Sequence, residues 1–139
     1  MGTFLFLQPN RVKGKIETSP FLLEIRVERT GRVLASRAQV ARSLISRVVG
    51  LLGRDSLGEG EGLILTACRS IHTWWMRFAI DAVFVDRAWA VVAIWNSLPP
   101  WRMTPFVWRA QAVIELPAGT VGRTHLAVGD RVVVEPAEG

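Results

Sequence analysis

Residues 71–86 read IHTWWMRFAIDAVFVD and continue as RAWAVVAIW over residues 87–95. Residues 82–85 and 90–95 are rich in β-branched and aromatic side chains, which pack well on a pleated surface. Asp86, Arg87 and Ala88 between them read as a hairpin loop. Ahead of the first strand, His72, Thr73, Met76, Arg77 and Asp81 stand among large apolar residues. A plain core strand has no need of those polar groups. The stretch therefore predicts a β-hairpin with a functional site beside it.

The same pattern extends both ways. Residues 62–66, 111–116 and 131–135 carry further strand-like runs. Pro117-Ala118-Gly119 and Gly129-Asp130 supply turns between and after them. Upstream, Leu23, Ile25 and Val27 alternate with Glu24, Arg26 and Glu28, the period of two that marks a half-buried strand. With Thr30-Gly31 as the turn, residues 22–33 read as a second hairpin. Residues 36–53 instead suggest an amphipathic helix. Ser36 and Gln39 have capping-box spacing. Val40, Ala41, Leu44, Ile45, Val48, Leu51 and Leu52 share one face at helical spacing. Gly53 suits the left-handed stop, and Arg54 complements the dipole. Residues 1–20 are read as a poorly ordered basic arm and residues 21–139 as one globular domain. The expected fold is mainly β (α+β), a small sandwich or barrel of short strands with one prominent amphipathic helix.

Composition narrows the functional classes. A chain of 139 residues fits one domain. Mean hydropathy is +0.27, so a large core, an exposed apolar patch, or both are expected. The net charge of +5 is uneven: residues 1–54 hold ten Lys/Arg against three Asp/Glu, residues 55–139 seven against nine. Basic residues at the start would attract nucleic acid or an anionic membrane, but a solvated charged face explains them more simply, Arg42 and Arg47 included. A lone cysteine, Cys68, excludes an internal disulfide framework and suits the cytoplasm. No apolar run reaches the length of a membrane-spanning helix.

Three groupings carry candidate chemistry. Cys68, His72 and Met76 are soft or borderline metal ligands spaced four apart. On a strand four residues span about 13 Å, too far for one ion unless the backbone folds back, so core packing and a structural histidine are the favoured reading and no metal is assigned. Asp81 needs a partner if buried. Arg77 or Arg102 suits it, since a guanidinium grips a carboxylate with two parallel hydrogen bonds; alternatively Asp81 and His72 form an acid/base pair. Lastly, residues 99–109, PPWRMTPFVWR, make a long loop that three prolines keep irregular. Trp and Arg, which it displays, dominate interface hot spots, although the loop could equally fold back over the core. Glu115 interrupts an apolar strand and could share Arg102. Asp130 belongs to a tight turn. No nucleophile elbow, P-loop, dinucleotide fingerprint or zinc-protease helix is present.

Five blocks in order resemble the domain-of-unknown-function 192 family: GLLGRDSL, GLILTACRSIHTWWMRFAIDAVFVD, LPPWR, AVIELPAGT and VGDRVVVE. The family pattern carries over onto His72, Thr73, Met76, Asp81, Asp86, Arg102, Glu115, Gly119, Gly129 and Asp130. One departure is that residues 74 and 75 are both Trp, where smaller or single aromatic residues are usual. The resemblance implies a small, mainly β fold with one prominent helix, and no established activity.

The sequence thus points to a binding or accessory module with a pocket where the 72–81 segment meets the 99–109 loop. His72, Arg77, Asp81 and Arg102 would give polar contacts, and Trp74, Trp75 and Trp101 apolar walls. The ligand, a small molecule or a protein partner, would be anionic if Arg77 or Arg102 is unpaired. A hydrolase using His72 and Asp81, nucleic-acid binding through the basic N-terminal part, and a soft-metal site at Cys68, His72 and Met76 are the alternatives. Cofactor and oligomeric state are left open.

Overall fold

The computed structural model describes residues 22–41 and 56–137. Seven strands, β1 (Leu23–Val27), β2 (Val33–Ala41), β3 (Glu61–Thr66), β4 (Ile80–Val85), β5 (Val91–Leu98), β6 (Ala112–Pro117) and β7 (Val132–Pro136), form one sheet. Its order is β5-β4-β6-β3-β2-β1-β7. All neighbours run antiparallel except β2 and β3. The expectation of a mainly β fold holds: the sheet curls into a half-barrel, and a short helix, α1 (Thr120–Thr124), follows β6.

The two edge strands meet at one end. Ala90 bridges Arg131. On either side of that bridge, Val91 N–H donates to the Asp130 carbonyl at 2.8 Å and Val132 N–H to the Trp89 carbonyl at 3.0 Å. Curling leaves little room inside. A side chain at Gly62 would put its Cβ 3.1 Å from the Ala35 Cβ and 3.2 Å from Leu116 Cδ2. Glycine and alanine here let neighbouring strands bend together.

Residues 36–41 correct the helix expectation, because they form the second half of β2 rather than a first helical turn. Ser36 N–H donates to the Gly60 carbonyl at 2.9 Å instead of starting a capping box. Pairing with β1 on one side and β3 on the other satisfies the backbone better than a local cap does. A β-bulge lies within this strand. Between the pairs Ile25–Ala35 and Leu23–Ala38, β2 advances three residues while β1 advances two. That extra residue resets the alternation, and Leu34, Ala35, Ala38 and Ala41 are buried. The rest of the expected helix, and the N-terminal arm, lie outside the described residues.

Two apolar layers result. Inside the curl lie Leu23, Ile25 and Val27 of β1, Val83 and Val85 of β4, Ile114 and Leu116 of β6, and Val132 and Val134 of β7. Val121 and Leu126, from α1 and the turn after it, join this layer. Outside lie Leu63, Leu65, Ala82, Phe84 and Val113, covered by Ile71, Met76 and Ala110 from the loops at 67–79 and 99–111. Every residue of β4 is therefore buried, as its continuous apolar character leads one to expect.

Asp130 secures the closing corner. Its carboxylate takes two bonds from the Arg29 guanidinium, at 2.8 and 2.9 Å, and one from Ala127 N–H at 3.0 Å. The hydrogen bonds from Arg29 hold the Asp130 carboxyl below its ordinary 3.8. A depressed folded-state value contributes stability that is present above the unfolded value and is lost as pH falls through the folded one. Urea unfolding should therefore show Asp130→Asn less stable than the parent at about pH 7, with the gap narrowing below about pH 3. A gap that stays constant across that range would contradict this role.

Candidate functional site

The loop between β3 and β4 and the loop between β5 and β6 run side by side as an irregular ribbon on the outer layer. His72 bridges Met103 in antiparallel fashion. Thr73 N–H donates to the Arg102 carbonyl at 2.8 Å, Thr104 N–H to the Ile71 carbonyl at 2.9 Å, and Val107 N–H to the Arg69 carbonyl at 2.7 Å. Side chains then alternate as they do along a strand. Ile71, Thr73 and Thr104 point inward and are buried, whereas Trp74, Trp101 and Met103 are exposed.

Thr73 is the clasp of the ribbon. Its hydroxyl donates to the Pro99 carbonyl at 2.6 Å and accepts from Arg102 N–H at 2.9 Å. Trp101 N–H reaches the Thr73 carbonyl at 3.0 Å. A threonine suits this position because one oxygen can both donate and accept, and its branched body fills buried space.

Asp81 lies at the other end of the arrangement. It is fully buried. One carboxylate oxygen accepts from Ser97 N–H at 2.8 Å, and the other from Gly119 N–H at 3.1 Å and Val121 N–H at 2.8 Å. The guanidinium partner expected for Asp81 is thus replaced by three backbone amides, two of them at the start of α1. Gly119, at φ +97°, adopts the left-handed conformation that turns its amide toward Asp81. Through Ser97 the same carboxylate pins the end of β5, from which the second loop departs.

On the outer surface the aromatic rings touch in pairs. His72 stacks on Trp74 with centroids 4.6 Å apart, Trp75 meets Trp101 edge-on at 4.8 Å, and Phe106 meets Trp108 at 4.6 Å. His72 is half-buried; the other rings are exposed, from 43% at Trp74 to 77% at Trp108. Both members of the central pair have left-handed backbones, Trp75 at φ +73° and Trp101 at φ +64°. For a bulky residue that conformation costs on the order of 1–3 kcal/mol. Trp75 takes it at the third position of a turn closed by Met76 N–H on the Thr73 carbonyl at 3.2 Å.

The loops therefore bring His72, Trp74, Trp75, Trp101 and Arg102 onto one ribbon. Asp81 sits beneath the surface, and Arg77 is exposed near the turn. Met103, Phe106 and Trp108 join the exposed aromatic set. Their clue in the sequence was the loop's wealth of aromatic and apolar side chains; which of them face outward depends on the pairing with residues 71–73. Cys68 packs against the same outer apolar layer that holds Met76. The Cys68 thiol donates to the Ser70 carbonyl at 3.1 Å, Met76 is buried in the outer layer, and His72 lies against Trp74. Glu115 is fully buried, in register with Leu63 and Ala82. A cavity of about 250 Å³ lies elsewhere, lined by Glu59, Pro117, Ala118, Gly119, Thr120 and Arg123. Around the aromatic rings the structure presents an exposed surface.

Comparison with known proteins places this chain in a class. The DUF192 family ("Uncharacterized ACR") matches residues 25–134, and the chain belongs to that family. A UPF0127 protein of Thermococcus sibiricus is 28% identical over 112 residues, which cover 78% of this chain and 72% of the relative. Two crystal structures share the fold. One is a protein of unknown function from Novosphingobium aromaticivorans, with TM-score 0.68, 23% identity, and coverage of 80% of this chain and 82% of the other. The second, a candidate transcription regulator from Sinorhizobium meliloti, has TM-score 0.68 and 19% identity, with coverage of 82% and 92%.

Two substitutions separate the supports of the site. Thr73→Val keeps the shape but strands the Arg102 amide, and should cost about 1–3 kcal/mol in chemical denaturation. Asp81→Ala leaves three amides without their acceptor and should cost more, about 3 kcal/mol or above. If Asp81→Ala proved the milder of the two, the tether assigned to Asp81 would be wrong.

Proposed function

We propose that the protein is a binding module whose contact surface is the aromatic ribbon. His72, Trp74, Trp75, Arg77, Trp101 and Arg102 would touch the partner, and Asp81 would position the ribbon from below. The observation that carries this reading is the exposed, left-handed pair Trp75 and Trp101. Glycine is the usual residue at such backbone angles. Large side chains held there, where they bury only part of their own surface, are better explained by contact with something outside the chain than by folding. Unfavourable backbone angles of this kind cluster at binding and catalytic sites.

Catalysis by His72 and Asp81 gains no comparable support. It would require Asp81 to release backbone amides that hold α1 and β5, whereas a general acid or base must be within hydrogen-bond reach of the substrate. The partner expected from the ribbon is one that meets Trp and Arg together, as interface hot spots do.

The test compares exposed with buried tryptophans. In Trp75→Gly, relief of the left-handed backbone roughly offsets the lost edge-on contact of about 0.5–1.5 kcal/mol. Its Tm should therefore stay within about 4 °C of the parent. Trp89→Ala removes a buried ring at the closing corner and should cost about 3–5 kcal/mol. Equal losses in the two variants would make the exposed pair a structural clasp and end the binding reading.

A further inference from the structure

We propose that the aromatic ribbon docks on an anionic lipid surface; this rests on the reading of the ribbon as a contact surface. The exposed set of Trp74, Trp75, Trp101, Met103, Phe106 and Trp108 supplies the apolar side chains. Tryptophan is suited to the boundary between headgroups and acyl chains, because its body is apolar and its N–H polar. The remaining question is what lies opposite, and three features of the ribbon answer it together.

The first is charge. Residues 67–79 and 99–111 contain four arginines and neither Asp nor Glu. Arg69, Arg102 and Arg109 are exposed beside the aromatic rings. This acid-free basic stretch complements the phosphates of an anionic leaflet. The second is the backbone. The ribbon pairs with itself through Thr73 and Arg102, Ile71 and Thr104, and Arg69 and Val107. Backbone groups already paired can approach the acyl region without stranding donors or acceptors. The third is shape. The rings stand out from the ribbon with exposures of 43–77%, and a fluid interface, unlike a folded partner, needs no matching contour. Among the described residues no helix is long and apolar enough to cross a membrane.

Trp108 is the most exposed of these side chains, and Arg109 follows it. The full chain should co-sediment with vesicles of phosphatidylcholine containing phosphatidylglycerol, and much more weakly with phosphatidylcholine alone. Binding should shift tryptophan emission to the blue. Arg109→Ser should weaken binding about fivefold. Trp108→Ser should weaken binding and reduce the blue shift's growth with lipid while leaving the far-UV circular dichroism unchanged. Equal binding to neutral and anionic vesicles, no binding to either, or binding that Trp108→Ser and Arg109→Ser both leave untouched would overturn the lipid assignment. The last of these would place the attraction in the basic N-terminal part instead. Failure here with Trp75→Gly still near parental stability removes the lipid and keeps the contact surface. Unfolding of Trp75→Gly removes both.

Discussion

Asp81 is fully buried, and a carboxylate is tolerable in that place because three backbone N–H groups point at it. Those amides belong to two distant parts of the chain: the end of β5 and the start of α1. One side chain thus fixes where the second loop leaves the sheet and how α1 sits over the inner layer. Neither a lysine nor an arginine would serve, since the groups to be satisfied are all donors. Burial enforces the arrangement, because each amide would otherwise lack a partner away from water.

The ribbon inherits its geometry from that anchor. The first loop enters β4 immediately before Asp81, and the second leaves β5 just after Ser97. With both stems set by the same carboxylate, the loops lie within hydrogen-bonding reach, and Thr73 completes the join. The inward residues seal the outer apolar layer, which frees the outward ones from any duty to the core. Folding and recognition are thereby divided between the two sides of the ribbon: Thr73, Thr104 and Ile71 on one, Trp74, Trp101 and Met103 on the other.

How much of this was legible in the sequence depended on whether the cause was local. The hairpin around Asp86 was readable, since its strands and loop are adjacent; Asp86 closes it by accepting from Ala88 and Ala90 N–H at 2.8 and 3.0 Å. The alternation of β1 was equally plain. Residues 36–41 were not, because the bulge against β1 and the parallel pairing with β3 override a capping signal that is favourable by itself. For the site, the two segments that meet were identifiable from their unusual mixture of residues. Their register was not, nor was the partner of Asp81, since amides carry no residue-type signature. Nothing in the composition of Trp75 or Trp101 foretold a left-handed backbone, a property of the turns that the pairing imposes.

The strand order also governs when the sheet can be closed. Among the described strands β7, last in sequence, lies beside β1, first in sequence, with Leu23 opposite Pro136. Val132 and Val134 belong to the inner layer, and Arg131 to the closing bridge. Every strand from β3 to β6, both loops and the outer layer over them can be assembled from residues synthesised earlier. A nascent chain can therefore carry its aromatic ribbon while the interior of the curl is still open along β1. Sealing that interior requires contacts separated by more than a hundred positions, the kind that close slowly. Until then the apolar residues of β1 stay within reach of other chains.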